Sequence, residues 1–176
     1  SSGSEFNVLF YGSMLPLHGI STVLDSMVLL SKRQKKVKIR LTFAGGRGKN
    51  KFIAELNEFI LKNNLQNIIT HIPWVESDRL PEFITRFDLC LGGPFGNTGQ
   101  ANRVVSGKTY QLLASATPTL VGKIYDMGGA FVDKKNCILI EQGSAKNLSL
   151  FFHHLLSAIQ YFYKWNFTVK NGGDFK

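Results

Sequence analysis

The chain has 176 residues, 44% of them apolar, and a formal net charge of +9 from 21 basic and 12 acidic side chains. That length and composition allow one domain with a sizeable core, needing neither disulfide nor metal to hold it. No apolar run approaches the ~18 residues of a membrane span, and Cys90 and Cys137 sit within apolar strand-like runs, which reads as core packing in a reducing compartment.

Ser1-Ser2-Gly3-Ser4 reads as a cloning remnant, which suggests a piece excised from a longer protein; no secretory leader is visible. The expected domain runs over 5–163, with a tail at 164–176. Phe6 to Gly12 is an apolar strand ending in glycine. From His18 to Lys32, the residues Ile20, Val23, Leu24, Met27 and Val28 recur at helical spacing. A strand from Val37 to Ala44 ends in Gly45-Gly46-Arg47-Gly48. Lys51 to Asn63 is helical, with Phe52, Ile53, Leu56, Phe59 and Ile60 on one face. A third strand, Ile68 to Ile72, stops at Pro73. Leu80 to Phe87 is a short helix and Asp88 to Gly92 a strand.

The most informative stretch runs from Arg103 to Val121. Ser106 can cap a helix by accepting a bond from a free backbone N–H, and Tyr110, Leu113 and Ala114 form its expected apolar face. Pro118 cannot continue the helix, and Thr119-Leu120-Val121 is strand-like. The free N–H groups and positive dipole end of such a helix attract phosphate, with Arg103 and Lys108 as cationic donors beside them. A sixth strand at Cys137–Ile140 and a helix from Ala145 to about Tyr163 complete the pattern.

Strands that are nearly all apolar, alternating with helices, predict a single Rossmann-like, doubly wound α/β domain of about six parallel strands flanked by helices. Ligands of such sheets sit at the carboxyl ends of the strands. The loops after Gly12, Ala44, Ile72, Gly92 and Val121 therefore compose the candidate site. The basic run of Lys32, Arg33, Lys35, Lys36, Lys38 and Arg40 falls at the opposite edge. It reads first as a solvated helix end, and secondly as attraction to an anionic membrane surface or to nucleic acid; no aromatic residue interleaves it, which argues against a single-strand nucleic-acid platform, and no nucleic-acid partner is expected.

Lys108-Thr109-Tyr110-Gln111-Leu112-Leu113-Ala114-Ser115-Ala116-Thr117-Pro118 resembles the Lys-x-x-Glu-x-x-Ala-x-Gly-x-Pro signature of GT-B-fold glycosyltransferases of group 1. Upstream, Gly12-Ser13-Met14-Leu15-Pro16-Leu17-His18-Gly19 resembles the Gly-x-x-x-Pro-x-His-Gly first loop of one branch, and Asp88 to Gly92 and Gly96-Asn97-Thr98 fall between as they do there. The resemblance covers about Phe6 to Leu156. It implies the C-terminal half of a GT-B fold, which binds a nucleotide-diphosphate sugar, with no cofactor or metal. The acceptor and often the general base belong to an N-terminal domain, absent here, so this piece alone is expected to turn nothing over.

The same resemblance implies roles. Gly12, Ser13, His18 and Gly19 give backbone room and hydrogen bonds to the diphosphate; many relatives carry Arg and Lys where this chain has Ser13 and His18, so two fixed charges are lost. Gly46 closes over the nucleotide, and Trp74 and Val75 line the base pocket. Arg103 and Lys108 meet the diphosphate and its developing charge as catalytic residues, beside Thr109. Gln111 stands where relatives have a glutamate that accepts bonds from ribose hydroxyls; its amide oxygen can accept one without charge assistance. Asp126 and Glu141 are unsupported as a base.

Two other readings stay open: a degenerate binding module, motivated by Ser13, His18 and Gln111, and an unrelated Rossmann dehydrogenase. The incomplete Gly-x-Gly-x-x-Gly at Gly45–Gly48 and a missing acidic residue argue against the latter. The basic run and the aromatic tail (Tyr161, Phe162, Tyr163, Trp165, Phe167) permit a lipid-linked acceptor at a membrane surface. The expected location is cytoplasmic, at most peripheral to the inner membrane surface.

Overall fold

β1 (Phe6–Tyr11) is the interior strand from which the sheet grows in both directions. A computed structural model of the chain describes residues 5–13, 15–33 and 39–157. Chain order is β1, a 3-10 turn (Pro16–His18), α1 (Ile20–Arg33), β2 (Ile39–Ala44), α2 (Asn50–Lys62), β3 (Ile69–Ile72), α3 (Leu80–Ile84), β4 (Leu89–Leu91), α4 (Gly107–Ala114), β5 (Thr119–Gly122), β6 (Ile138–Ile140) and α5 (Ala145–Ser157). The sheet order is β3-β2-β1-β4-β5-β6, every pairing parallel. The expected α/β class, strand number and parallel sheet are all present.

Alternation along β1 explains the two layers. Phe6, Val8 and Phe10 face α1, α2 and α5, where Val23, Met27, Leu56, Leu148 and Phe152 complete the larger core. Leu9 and Tyr11 face the other way, onto Ile84 of α3 and Leu112 of α4. Cys90 and Cys137 are buried free thiols, as expected of core residues.

The chain departs from β1 to one side through β2 and β3, then returns to β1's other side as β4. The reversal opens a crevice at the carboxyl ends of β1 and β4, where such sheets take ligands. Two loops clasp there. The Gly96 amide donates to the Leu17 carbonyl at 3.3 Å. Gly19 has φ +67°, and a Cβ on it would lie 2.2 Å from the Phe95 carbonyl carbon, so only glycine lets the loops meet.

At the opposite edge, Lys32 and Arg33 end α1 and Arg40 pairs with Glu5. Lys35, Lys36 and Lys38, the expected remnant at 1–4, the aromatic tail and the expected extension of the last helix to Tyr163 lie outside the described residues. Among the described residues no helix is long and apolar enough to cross a membrane.

Candidate functional site

The loops after β1, β2 and β3 enclose a cleft of about 310 Å³. Gly12 and Ser13 line it from the first loop, Gly46 and Lys49 from the second, Trp74 and Val75 from the third. Five residues expected from the sequence thus meet in one place.

Gly12 ends β1 with φ +138°, its amide donating to the Ala44 carbonyl at 3.0 Å. A Cβ there would lie 3.6 Å from both His18 Cε1 and Lys108 Cδ, so both side chains pack directly against the turn. Lys108 is buried; its Nζ has no hydrogen-bond partner among the described residues and stands 3.8 Å from the centroid of the Phe10 ring. The ring face offers it a partial counter-charge. Desolvation pushes its pKa down to about 7. An ammonium so placed is costly until an anion arrives to accept from it.

His18 is also buried. Burial first, then the charges of Lys108 and Lys49, push its pKa down to about 4, so it is neutral at pH 7. Its Nδ1 accepts from the Leu15 amide at 3.4 Å, which leaves the ring proton on Nε2 as a donor. The loop after β1 thus offers backbone and a neutral donor, without a fixed charge.

The start of α4 corrects two expectations. Ser106 is the N-cap residue, yet its hydroxyl makes no cap bond; it donates to the Gly92 carbonyl at 2.9 Å. The Thr109 hydroxyl donates to the same carbonyl at 2.9 Å. These bonds turn the first turn of α4 onto the end of β4. The buried face is accordingly Lys108, Thr109 and Leu112, and the expected face is displaced: Tyr110 is 55% exposed and Ala114 exposed. No side-chain cap competes for the first amides of α4. Thr109, expected as a ligand, has its amide bonded to the Ser106 carbonyl at 2.9 Å as well. It braces the helix start and has no free donor to offer.

Gln111 is tied to the sheet: the Tyr11 hydroxyl donates to its Oε1 at 2.6 Å. Burial pushes the Tyr11 pKa up to about 12, which keeps that hydroxyl protonated. Gln111 also lines a second cleft of about 530 Å³ between α3 and α4, continuing from the first through the shared residues Ser77 and Leu80. Trp74, 46% exposed, forms a wall of the first cleft, with the Arg47 guanidinium 5.2 Å from its ring centroid.

Arg103 is not brought into the cleft. It lies exposed in the turn before α4, and its side chain has no hydrogen bond or ion pair with the described residues. Asp126 and Glu141 are both engaged, the first accepting from the Gly128 amide at 2.7 Å, the second pairing with Lys123 at 2.8 Å. Sequence reasoning missed Tyr11 and Lys49. The Lys49 Nζ donates to the Ser13 carbonyl at 2.7 Å. Its one sequence signal is its place at the end of a glycine-rich loop entering a helix.

No family model and no curated protein sequence matches the chain. Its fold does have solved counterparts. It is similar to Anabaena HepE, solved with UDP and with UDP-glucose, at TM-score 0.74 and 14% identity for the UDP complex, over 96% of this chain and 43% of that one. It is similar to the C-terminal domain of the glycosyl transferase group 1 family protein LpcC from Francisella tularensis, at TM-score 0.71 and 16% identity, over 93% of this chain and 81% of that one. It is similar to TarM of S. aureus, at TM-score 0.69 and 16% identity, over 97% of this chain and 32% of that one. The chain spans less than half the length of HepE and TarM, and most of the LpcC domain. At these identities the likeness shows the fold: this chain is built as the α/β domain of GT-B glycosyltransferases.

Proposed function

We propose that the chain is the donor-binding domain of a glycosyltransferase that uses a nucleotide-diphosphate sugar. The observation that carries this reading is Lys108. Its ammonium is buried without an acceptor among the described residues, at the uncapped start of α4, against Gly12, in the crevice where the strand order reverses. A diphosphate at that point would accept from Lys108, from the first amides of α4 and from His18. The base and ribose would extend along the cleft toward Trp74, Val75 and Gln111. The UDP and UDP-glucose held by HepE support the ligand class.

In this reading Lys108 takes up negative charge developing on the departing nucleotide diphosphate. Arg103 joins it only if the exposed turn before α4 closes over the donor. The acceptor and the general base come from a domain outside this chain, so the chain alone binds donor without transferring sugar. No metal is assigned. The acceptor at a membrane surface, reached through the basic end of α1, belongs to the same proposal.

A second reading, a degenerate binding module, is favoured by one observation: Gln111 lacks the carboxylate of its counterparts, and its oxygen is already engaged by Tyr11. Calorimetric titration with UDP, GDP and ADP tests the first reading. Saturable binding of one nucleotide is expected. No binding of any by a cooperatively folded chain would contradict it. Sugar transfer by the full-length wild-type protein would exclude the degenerate module.

A further inference from the structure

We propose, on the donor-binding reading above, that Lys49 is a second phosphate-binding residue, delivering from the loop after β2 the fixed positive charge that the Gly12–Gly19 loop lacks. That loop carries Ser13, which is uncharged, and His18, which is neutral at pH 7. Lys49 immediately precedes α2 and lines the cleft beside Gly12 and Ser13. Its Nζ reaches across 36 positions of sequence to donate to the Ser13 carbonyl at 2.7 Å. An ammonium has three N–H donors, so that bond fixes the group over the turn and leaves two for an anion.

Two cations at this edge face carboxylates, Arg47 with Glu76 at 3.9 Å and Lys123 with Glu141 at 2.8 Å, while Arg103 stands exposed on the turn before α4, outside the cleft. Lys49 and Lys108, the two cations on the Gly12–Ser13 turn, pair with no carboxylate among the described residues. His18 lies within the field of both. The turn is therefore bracketed by a buried ammonium and an exposed one, an arrangement that repels cations and accommodates two adjacent phosphates. A lysine serving only to pin two loops would be indifferent to what the cleft binds.

The test is calorimetric titration of UDP, uridine and inorganic pyrophosphate into wild type, Lys49→Met, Lys49→Arg and Lys108→Met. Lys49→Met is expected to weaken UDP and pyrophosphate about tenfold while leaving uridine unchanged, and Lys49→Arg to stay within about threefold of wild type. If Lys49→Met binds UDP like wild type while Lys108→Met does not, the Lys49 role is overturned and the donor reading stands. Equal weakening of UDP and uridine also overturns it, since the lysine then only shapes the cleft. Lys49-dependent pyrophosphate binding without any nucleotide binding would keep Lys49 as a phosphate ligand and overturn the donor reading. If the folded wild type binds none of the three, both fall.

Discussion

The Tyr11 hydroxyl donates to Oε1 of Gln111 at 2.6 Å, joining the end of β1 to α4 across the carboxyl edge of the sheet. The bond fixes which end of the amide is free: the oxygen faces the tyrosine and the NH₂ is left as a donor. Tyr11 is buried, so the bond has stability value. Tyr11→Phe is expected to cost about 1 kcal/mol, read as a lower urea midpoint at unchanged m-value. An unchanged midpoint would mean that water replaces the bond without loss.

Gln111→Glu would let Tyr11 donate to one carboxylate oxygen while the other faces the cleft. The variant is expected to bind UDP about five- to tenfold more tightly than wild type, with the gain reduced for 2′-deoxy-UDP. Equal affinities for both ligands would show that the ribose does not reach position 111.

Lys108→Met should have effects of opposite sign on stability and binding. Replacing a buried ammonium that has no hydrogen-bond partner among the described residues by an apolar chain of similar length is expected to stabilise the fold by about 1–3 kcal/mol, and to abolish nucleotide binding. A variant that melts lower and still binds UDP would contradict the assignment.

Two groups set a pH dependence of stability with one direction. Lys108 has a pKa of about 7 in the fold against 10.5 for an ordinary lysine, so between those values the unfolded chain holds more protons and stability rises with pH. His18 has about 4 against 6.5, so stability is lost as pH falls through that window. Urea unfolding at pH 5, 7 and 9 should therefore give stability increasing at each step. Lys108→Met should flatten the rise from pH 7 to 9 and, by removing one of the charges that depress His18, reduce the lower step without abolishing it.

Gly19→Ala tests the clasp of the two loops at the crevice. The new Cβ would sit 2.2 Å from the Phe95 carbonyl carbon, at a φ of +67° that L residues seldom adopt. A cost of about 2–5 kcal/mol is expected from overpacking and backbone strain together. A loss below about 1 kcal/mol would show that the loops separate freely.

Period and glycine placement made most of the fold legible in the sequence. Val23, Leu24 and Met27 of α1 and Leu56 and Ile60 of α2 are buried as their spacing requires, because the faces those helices bury are mostly apolar. α4 broke the rule. Its orientation is set by two hydroxyl bonds from Ser106 and Thr109 to Gly92, and hydrophobic periodicity is blind to such bonds. The same limit applies to the site. Gly12, Ser13, Gly46, Trp74 and Val75 could be placed together because loops after parallel strands share one edge. The contacts of Lys49 with Ser13 and of Tyr11 with Gln111 join residues 36 and 100 positions apart, a register no local pattern encodes. Arg103 shows the same limit: the sequence puts it just before α4, but the turn that carries it leaves it exposed and outside the cleft.

The central claim is that Lys108 receives the phosphate of the donor, and proton uptake on binding tests it most directly. At pH 8 the free lysine, with a pKa of about 7, is largely neutral, and a bound diphosphate would draw a proton onto it. UDP binding measured calorimetrically in two buffers of different ionisation enthalpy should show uptake of close to one proton. Binding with no proton uptake, and with the same UDP affinity in Lys108→Met, would place the phosphate elsewhere and contradict the account.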